Sequence, residues 1–298
     1  MGSVAMRAVL VNRFGGPDVV EVGEVEVPEP GAGQVRIKVA AAALNPVDAG
    51  VRAGVFGGAG KRLGLGWDVA GTVEAVGVAT GWNVGDEVVA LAYGPGKTLG
   101  THADHVVVDA GAVASAPGSV DAVHAATLPL NALTAAQALD LLGLEPGQSL
   151  LVTGAAGAVG GYAVQLAAHR GLTVTGVARA ADEDLVRSLG AERFGPQPAG
   201  ADGVLDAALL GGAALEWVRD GGVFVGVIPG AHPESVRGVR TGSVEVAPDG
   251  ARLAELVRLV DAGVLTTRVA ETYPLDEAAK AHARLAEGGL RGRLVLVP

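Results

Sequence analysis

The sequence predicts a two-part α/β protein, in which a β-rich first third precedes a parallel sheet covered by helices. The first observation is that short apolar runs, separated by Gly- and Pro-containing turns, fill the chain up to about residue 120. The second is that strand-like and helix-like segments alternate after that point, the pattern of a parallel sheet. The third is that 298 residues, 49% of them hydrophobic, suit either two domains or one large one and suffice for a large buried core.

The individual elements follow from hydrophobic periodicity. In residues 35–39, apolar residues alternate with charged ones, as in a half-buried strand. Residues 121–142 are Ala- and Leu-rich and predict one long helix. Predicted strands cover residues 9–11, 35–39, 84–91, 149–153, 173–178, 204–207, 223–228 and 294–297. Predicted helices beyond residue 142 cover residues 159–170, 182–189 and 251–262.

Composition excludes several classes of function. The net charge is −10 and no basic stripe is visible, so we expect no nucleic-acid partner. No apolar run reaches bilayer length and the N-terminus does not resemble a secretory signal, so we expect no membrane association and a cytoplasmic location. The sequence contains no cysteine, which excludes disulfides and any zinc site with thiolate ligands.

A glycine-rich turn at residues 153–160 is the strongest local motif. It follows an apolar strand and opens a helix, the context that a dinucleotide-binding turn requires. Gly allows the tight turn, small Ala side chains keep the approach open, and the helix N-terminus offers N–H groups to a diphosphate. An ordinary turn in a Gly/Ala-rich protein is the alternative. The residues predicted to bind the cofactor here are Gly154, Ala156, Gly157, Ala158 and Val159.

The ends of the following strands predict which dinucleotide binds. The strand at residues 173–178 is followed by Arg179, where NAD sites usually carry an acidic residue that binds the ribose 2′-hydroxyl. Arg179 could instead pair with the 2′-phosphate of NADPH, or simply lie exposed at a helix start. Asp206, at the end of a later strand, either contacts the cofactor ribose or caps the next helix.

Several further motifs carry a resemblance to a known family. The chain resembles the zinc-independent quinone oxidoreductases, the zeta-crystallin-like branch of the medium-chain dehydrogenase/reductase superfamily. The matching segments occur in the family's order and lie at residues 43–48, 52–54, 66–73, 76–77, 85–88, 100–105, 133–135, 281–282 and 291–296. The resemblance implies a GroES-like β-barrel-type catalytic domain (residues 1–123 plus 259–298) and a Rossmann doubly wound parallel sheet domain (residues 124–258). It also implies a homodimer.

Further site residues are predicted from the resemblance or from their positions along the chain. Asn45 is predicted to be catalytic and to contact the cofactor, through the nicotinamide ribose or the substrate carbonyl; the alternative is a turn residue before Pro46. Tyr93 is a candidate proton donor or a packed loop residue. Thr134, Val227 and Ile228 are expected to border the nicotinamide. Loops such as residues 55–63 and 94–101 are expected to shape the substrate pocket.

Other polar residues have structural interpretations. Asp48 is expected to organise the turn at Asn45. A catalytic role is the less favoured alternative, since an ionised carboxylate would oppose a developing enolate. Asp68 is expected to bond to nearby backbone. His102 and His105 have a spacing that invites a metal site, but on a strand they face opposite sides, so no metal ligands are predicted. His102 stands where family members usually carry an aromatic residue.

The resulting hypothesis is an oxidoreductase with NADPH as cofactor. Hydride would pass to a quinone or an α,β-unsaturated carbonyl compound without help from zinc. One alternative is a dedicated enoyl reductase of a polyketide pathway. Another is a non-catalytic NADPH-binding sensor.

Overall fold

The computed structural model describes residues 4–196 and 200–298. The chain divides into two compact units. The first contains the residues up to Leu130 together with Pro248–Asp261 and Thr267–Pro298, and the second contains Asn131–Ala247 and Ala262–Thr266. These limits lie several residues from the domain boundaries expected from the family resemblance, which stay a prediction.

Sixteen strands are formed by the described residues. In chain order they are β1 (Ala5–Val11), β2 (Val20–Glu26), β3 (Gln34–Leu44), β4 (Leu63–Gly64), β5 (Asp68–Val76), β6 (Glu87–Leu91), β7 (His105–Asp109), β8 (Val113–Ser115), β9 (Ser149–Thr153), β10 (Thr173–Val177), β11 (Arg193–Phe194), β12 (Ala201–Asp206), β13 (Val218–Gly226), β14 (Arg240–Ser243), β15 (Val269–Pro274) and β16 (Arg293–Val297).

Eight α-helices occur in the same described ranges. They are α1 (Pro46–Ala53), α2 (Ala122–Ala125), α3 (Pro129–Leu142), α4 (Ala158–His169), α5 (Glu183–Ser188), α6 (Gly212–Leu215), α7 (Gly250–Asp261) and α8 (Ala278–Glu287). None of these helices combines the length and the apolar character needed to cross a membrane.

The prediction of one helix over residues 121–142 is wrong. The segment forms two helices, α2 and α3, and the second begins at Pro129. Proline disfavours helical geometry at the preceding residue but fits the first position of a new helix, where its missing N–H is not needed. The side chain of Asp121 caps the shorter helix by accepting from the His124 amide at 2.9 Å.

The first unit is built from two mainly antiparallel sheets. One has the strand order β2-β1-β4. The other has the order β15-β16-β3-β5-β6-β8, with β7 paired to β3. Strand β3 pairs with β5, β7 and β16, and its alternating apolar residues enter the core. Because β3 ends at Leu44, it delivers Asn45 to the start of α1.

The second unit contains one parallel sheet in the order β11-β10-β9-β12-β13-β14. The chain fills one side of β9 with β10 and β11 and then crosses to the other side with β12, so the strand order reverses between β9 and β12. In open α/β sheets, ligands bind at the carboxyl ends of the strands beside such a reversal. The order is that of the predicted Rossmann domain, and Thr153 and Asp206 end the two strands at the reversal.

Glycines allow helix α4 to lie close to the turn that precedes it. A Cβ at Gly160 would stand 2.1 Å from the carbonyl oxygen of Gly154. A Cβ at Gly176, in β10, would stand 2.2 Å from Cγ1 of Val186. Such distances cannot be relieved without moving backbone or core side chains, so both positions require glycine.

We expect Gly160→Ala to destabilise the protein although alanine is the better helix former. Helix propensity alone predicts a gain of about 1 kcal/mol, whereas the contact with Gly154 predicts a net loss of about 1–3 kcal/mol. The measurement is the free energy of unfolding in urea. Gly212→Ala is the control, because a Cβ there meets nothing within 4 Å and Gly212 also lies in a helix. Equal stabilities of the two variants would contradict the argument.

Candidate functional site

A buried carboxylate organises the turn between β3 and α1. The carboxylate of Asp48 accepts from the backbone amide of Asn45 at 2.8 Å and from that of Gly66 at 2.9 Å. Asn45 is the residue before α1 and Pro46 is the first residue within it, a frequent helix start. The expectation that Asp48 organises this turn is therefore confirmed. Helix α1 was not predicted from the sequence, where this segment was interpreted as a turn, although Asn followed by Pro is a typical helix start.

Asn45 bridges this turn to a second buried carboxylate. Its Nδ2 donates to Asp68 at 2.7 Å, and the other oxygen of Asp68 accepts from the Leu130 amide at 2.6 Å. Asp68 therefore bonds to backbone as expected. Asn45 and Asp68 are only 1% and 0% exposed. Asn45 thus has a demonstrated structural role, and its predicted contact with cofactor or substrate stays a prediction.

Burial sets the charge of Asp68. Desolvation raises the pKa of its carboxyl to about 7, with a smaller contribution from the charge of Asp48. The hydrogen bonds from Leu130 and Asn45 oppose this shift because they stabilise the carboxylate. Asp68 can therefore exchange a proton close to neutral pH.

Lys97 places a positive charge beside these carboxylates. Its Nζ donates to the carbonyl of Gly66 at 3.2 Å and to that of Ala92. Desolvation lowers the pKa of the Lys97 ammonium to about 8, and the charges of Asp48 and Asp68 oppose that shift. Lys97 was not predicted as a site residue, because a lysine in a glycine-rich loop is usually exposed and has no periodic signal.

Tyr93 lies against Trp67 at the edge of this cluster. The two ring centroids are 4.9 Å apart and the rings meet edge to face, with an interplanar angle of 67°. Trp67 is buried, whereas Tyr93 is 39% exposed. Tyr93 is therefore a packed loop residue that also presents surface to solvent, and its predicted role as a proton donor stays a prediction.

His102 is part of a separate buried polar group. Its Nε2 lies 2.9 Å from the carbonyl oxygen of Ala43, so Nε2 must carry the proton. Nη1 of Arg52 lies 3.0 Å from Nδ1 of His282, which must therefore accept. Burial lowers the pKa of both imidazoles, that of His282 to about 3. Both side chains are therefore neutral at pH 7.

His105 does not join His102. Its Nδ1 lies 3.0 Å from a carboxylate oxygen of Glu74, whereas His102 is fully buried. No group of three or more His, Asp or Glu side chains placed to hold a metal occurs in residues 4–196 and 200–298. The absence of a metal centre stays a prediction, supported by the lack of any cysteine ligand.

In the second unit, the glycine-rich turn has the geometry that a dinucleotide diphosphate requires. Gly154 adopts a left-handed φ of 60° and its carbonyl accepts from the Gly157 amide at 2.8 Å. The first helical bond of α4 runs from Gly161 to Gly157 at 2.9 Å, so the amides of residues 158–160 precede it. A Cβ at Gly157 would meet only the Gly154 oxygen within 4 Å, at 3.1 Å, which leaves room at the helix N-terminus. These residues fit a bound diphosphate.

Arg179 lies two residues after the end of β10. Its side chain is 68% exposed, and its Nε lies 3.8 Å from Oδ2 of Asp182, whose side chain is only 9% exposed. The first carboxylate after β10 is thus turned toward the guanidinium. This loose ion pair leaves most of the guanidinium surface accessible to another anion.

The other predicted cofactor residues occupy different positions in the second unit. Asp206 accepts from Thr153 Oγ1 at 2.6 Å and from the amides of Leu210 and Gly211 at 3.1 and 2.7 Å. Asp206 therefore holds the loop that precedes α6 and does not cap the helix itself, and its predicted contact with the cofactor ribose stays a prediction. Thr134 is buried in α3. Val227 and Ile228 follow the carboxyl end of β13, where Val227 is half-buried and Ile228 is exposed.

Comparison with known proteins assigns the family. Residues 31–118 match the alcohol dehydrogenase GroES-like domain, and residues 172–296 match the zinc-binding dehydrogenase family. A chloroplastic NADPH-dependent alkenal/one oxidoreductase of Arabidopsis thaliana is 33% identical over 98% of this chain and 80% of its own length. The chain belongs to the medium-chain dehydrogenase/reductase superfamily, among the quinone oxidoreductases and alkenal reductases. The predicted GroES-like and Rossmann folds are thereby confirmed.

Other members show the range of this family. Pikromycin polyketide synthase component PikAII of Streptomyces venezuelae is 32% identical over 92% of this chain, which spans 8% of that protein. The quinone oxidoreductase of Coxiella burnetii has a TM-score of 0.88 at 28% identity and covers 99% of this chain and 100% of its own. A mycobacterial protein solved with NADPH has a TM-score of 0.84 at 26% identity, covering 98% and 100%.

The matched family description mentions zinc, but this chain has no cysteine to supply a thiolate ligand. At the start of α1, the buried amide of Asn45 and the carboxylate of Asp68 form a hydrogen bond.

We expect the Asp68 carboxyl to titrate near pH 7 and to titrate at higher pH in Asn45→Ala. Removing the Nδ2 donor removes a contact that favours the carboxylate, so the pKa of Asp68 rises. Carboxyl ¹³C NMR measures both values.

The internal reference in these spectra is Asp202, whose pKa of about 2 is set first by its hydrogen bond from the Ser149 amide. The matched variant is Asn12→Ala, which removes an exposed amide–carboxylate bond to Glu21 at 2.9 Å. An Asp68 that titrates near 4 in the wild-type protein would contradict the assignment.

Proposed function

We propose that the chain is an NADPH-dependent reductase that delivers hydride to a quinone or an α,β-unsaturated carbonyl compound. The observation that carries this proposal is the helix N-terminus at Gly157, which opens beside the reversal of strand order in the second unit. The named activity of the Arabidopsis thaliana relative and the NADPH bound to the mycobacterial relative support the choice of cofactor.

The residues of the second unit would each hold one part of the cofactor. The amides of Ala158 and Val159 would bind the diphosphate, and the small side chain of Ala156 would keep the approach open. Arg179 would pair with the 2′-phosphate. Thr134, Val227 and Ile228 would contact the nicotinamide, and Asp206 would fix the loop beside the ribose by its bonds to Thr153 and Gly211.

Bound NADPH would supply the hydride. The protein would supply orientation and exclusion of water, since a conjugated acceptor needs little Lewis-acid activation. We propose Asn45 and Tyr93 as the residues of the first unit that contact the acceptor or cofactor. The buried Asp68 would hold the amide of Asn45 in one orientation through the bond at 2.7 Å.

An enoyl reductase that acts on thioester substrates is the second candidate. The observation in its favour is the 32% identity to PikAII, a component of a polyketide synthase. Reduction of an enoyl thioester uses the same hydride transfer to a conjugated carbonyl. The two candidates therefore differ only in acceptor.

A panel of acceptors tests the function. We expect purified protein to oxidise NADPH in the presence of 1,4-benzoquinone, 9,10-phenanthrenequinone or a simple enone, measured as loss of absorbance at about 340 nm. Turnover confined to an enoyl thioester would support the second candidate. Tight NADPH binding without turnover of any acceptor would overturn both and leave a nucleotide-binding protein.

We expect Arg179→Glu to weaken NADPH binding by about 1.5–3 kcal/mol, the scale of a hydrogen bond to a charged group, and NADH binding much less. Isothermal titration calorimetry measures both affinities. Arg187→Glu is the charge-matched control, because Arg187 is also exposed in the second unit and pairs with Glu183. Equal losses for the two nucleotides would remove Arg179 from the 2′-phosphate site.

A further inference from the structure

Lys97 closes the loop that carries Tyr93. Its Nζ donates to the carbonyl of Ala92, the residue immediately before Tyr93, and to the carbonyl of Gly66 at 3.2 Å. Its own backbone carbonyl accepts from the Gly64 amide at 2.8 Å. Between the two ends lie Gly94, Pro95 and Gly96, which offer few side-chain contacts of their own. The position of the loop against residues 64–66 therefore depends on Lys97.

The ammonium also contacts the aromatic pair. Nζ lies 5.6 Å from the ring centroid of Trp67, and the same ring meets Tyr93 edge to face at 4.9 Å. A cation is attracted to an aromatic face, and the attraction is stronger where water is excluded. The charge of Lys97 thus stabilises the indole against which Tyr93 packs.

The charged and titratable groups facing Lys97 come from three parts of the first unit. Asp48 faces it from α1 and Asp68 from β5, and both favour the ammonium. His102 lies close enough that the ammonium lowers the pKa of its imidazole. Because burial opposes the ammonium more strongly than the carboxylates favour it, the pKa of Lys97 falls to about 8. A neutral amine would still have two N–H groups for the two carbonyls, but these hydrogen bonds would lose the assistance of the charge, and the cation–π attraction to the indole would be lost.

We infer that Lys97 is a positioning residue of the reductase, whose ammonium holds Tyr93 against Trp67 in the arrangement that receives the acceptor. This inference rests on the proposed function. Deprotonation of Lys97 loosens residues 93–96 and reduces the capture of acceptor, while the nucleotide site in the second unit is unaffected. Lys97 itself transfers no proton or electron in this scheme.

Trp67 fluorescence tests, without any substrate, whether the Lys97 ammonium holds Tyr93 against Trp67. Trp82→Phe and Trp217→Phe leave Trp67 as the single tryptophan of the three in the chain. In this background we expect the emission to titrate with a midpoint near pH 8, the pKa of Lys97. Lys97→Arg keeps the charge over this pH range and Lys97→Met never has it, so the transition of Lys97 is absent from both, and only the titration of the neighbouring Asp68 is left. Lys61→Met, at an exposed lysine, retains it.

Steady-state kinetics test the positioning role. We expect kcat/KM for the acceptor to fall above about pH 8 in the wild-type protein and to stay level in Lys97→Arg. At pH 7, Lys97→Met raises the KM for the acceptor about tenfold, equivalent to about 1.4 kcal/mol, and leaves the KM for NADPH unchanged. Lys61→Met behaves as the wild type does.

The two arms separate the inference from the proposed function. A wild-type protein that reduces no acceptor would overturn the proposed function and with it the positioning role. The fluorescence experiment would still decide whether the Lys97 ammonium holds Tyr93 against Trp67. With an active wild type, the inference is overturned if Lys97→Arg keeps either the emission change near pH 8 or the fall in kcat/KM above pH 8. If Lys97→Met does not fold, Lys97→Arg and the wild type suffice for both decisions.

Discussion

Two backbone amides, from Asn45 and Gly66, donate to the buried carboxylate of Asp48, and the geometry of the first unit's site follows from these two bonds. One bond starts helix α1 and the other fixes the segment that leads to Trp67 and Asp68. Asn45 then reaches Asp68, and the Gly66 carbonyl receives the Lys97 ammonium. A single carboxylate therefore connects a helix start, a strand start and a loop.

The two units differ in the arrangement and solvent exposure of their charged groups. In the second unit, a helix N-terminus and an exposed guanidinium offer positive potential to an anion that carries its own charge. In the first unit, buried carboxylates and an ammonium lie close together at low solvent exposure, where each needs hydrogen bonds to offset the loss of water. The arrangement in the second unit suits the proposed nucleotide site. The arrangement in the first unit suits a site with fixed dipoles.

Much of the second unit could be predicted from the sequence, because strand and helix periods, the glycine-rich turn and Arg179 are local signals. The order of strands was implied only by the family resemblance, and Asp206 was expected at a strand end but not beside Thr153. Lys97 could not be predicted, since its burial depends on contacts with Gly66, 31 residues away along the chain. The break between α2 and α3 could be predicted from Pro129, but the Ala- and Leu-rich composition of residues 121–142 favoured a single helix. Helix α8 was not predicted.

The displaced pKa values of Asp68 and His282 have a consequence for folding in mild acid. Between about pH 5 and 5.5, an unfolded chain carries an ionised Asp68 and a protonated His282. The folded protein carries a protonated Asp68 and a neutral His282, because their pKa values are about 7 and about 3. Proton uptake by the carboxyl and release by the imidazole cancel, so these two groups add no slope to the stability curve over that interval. For this pair of groups, folding is therefore accompanied by no net uptake or release of protons.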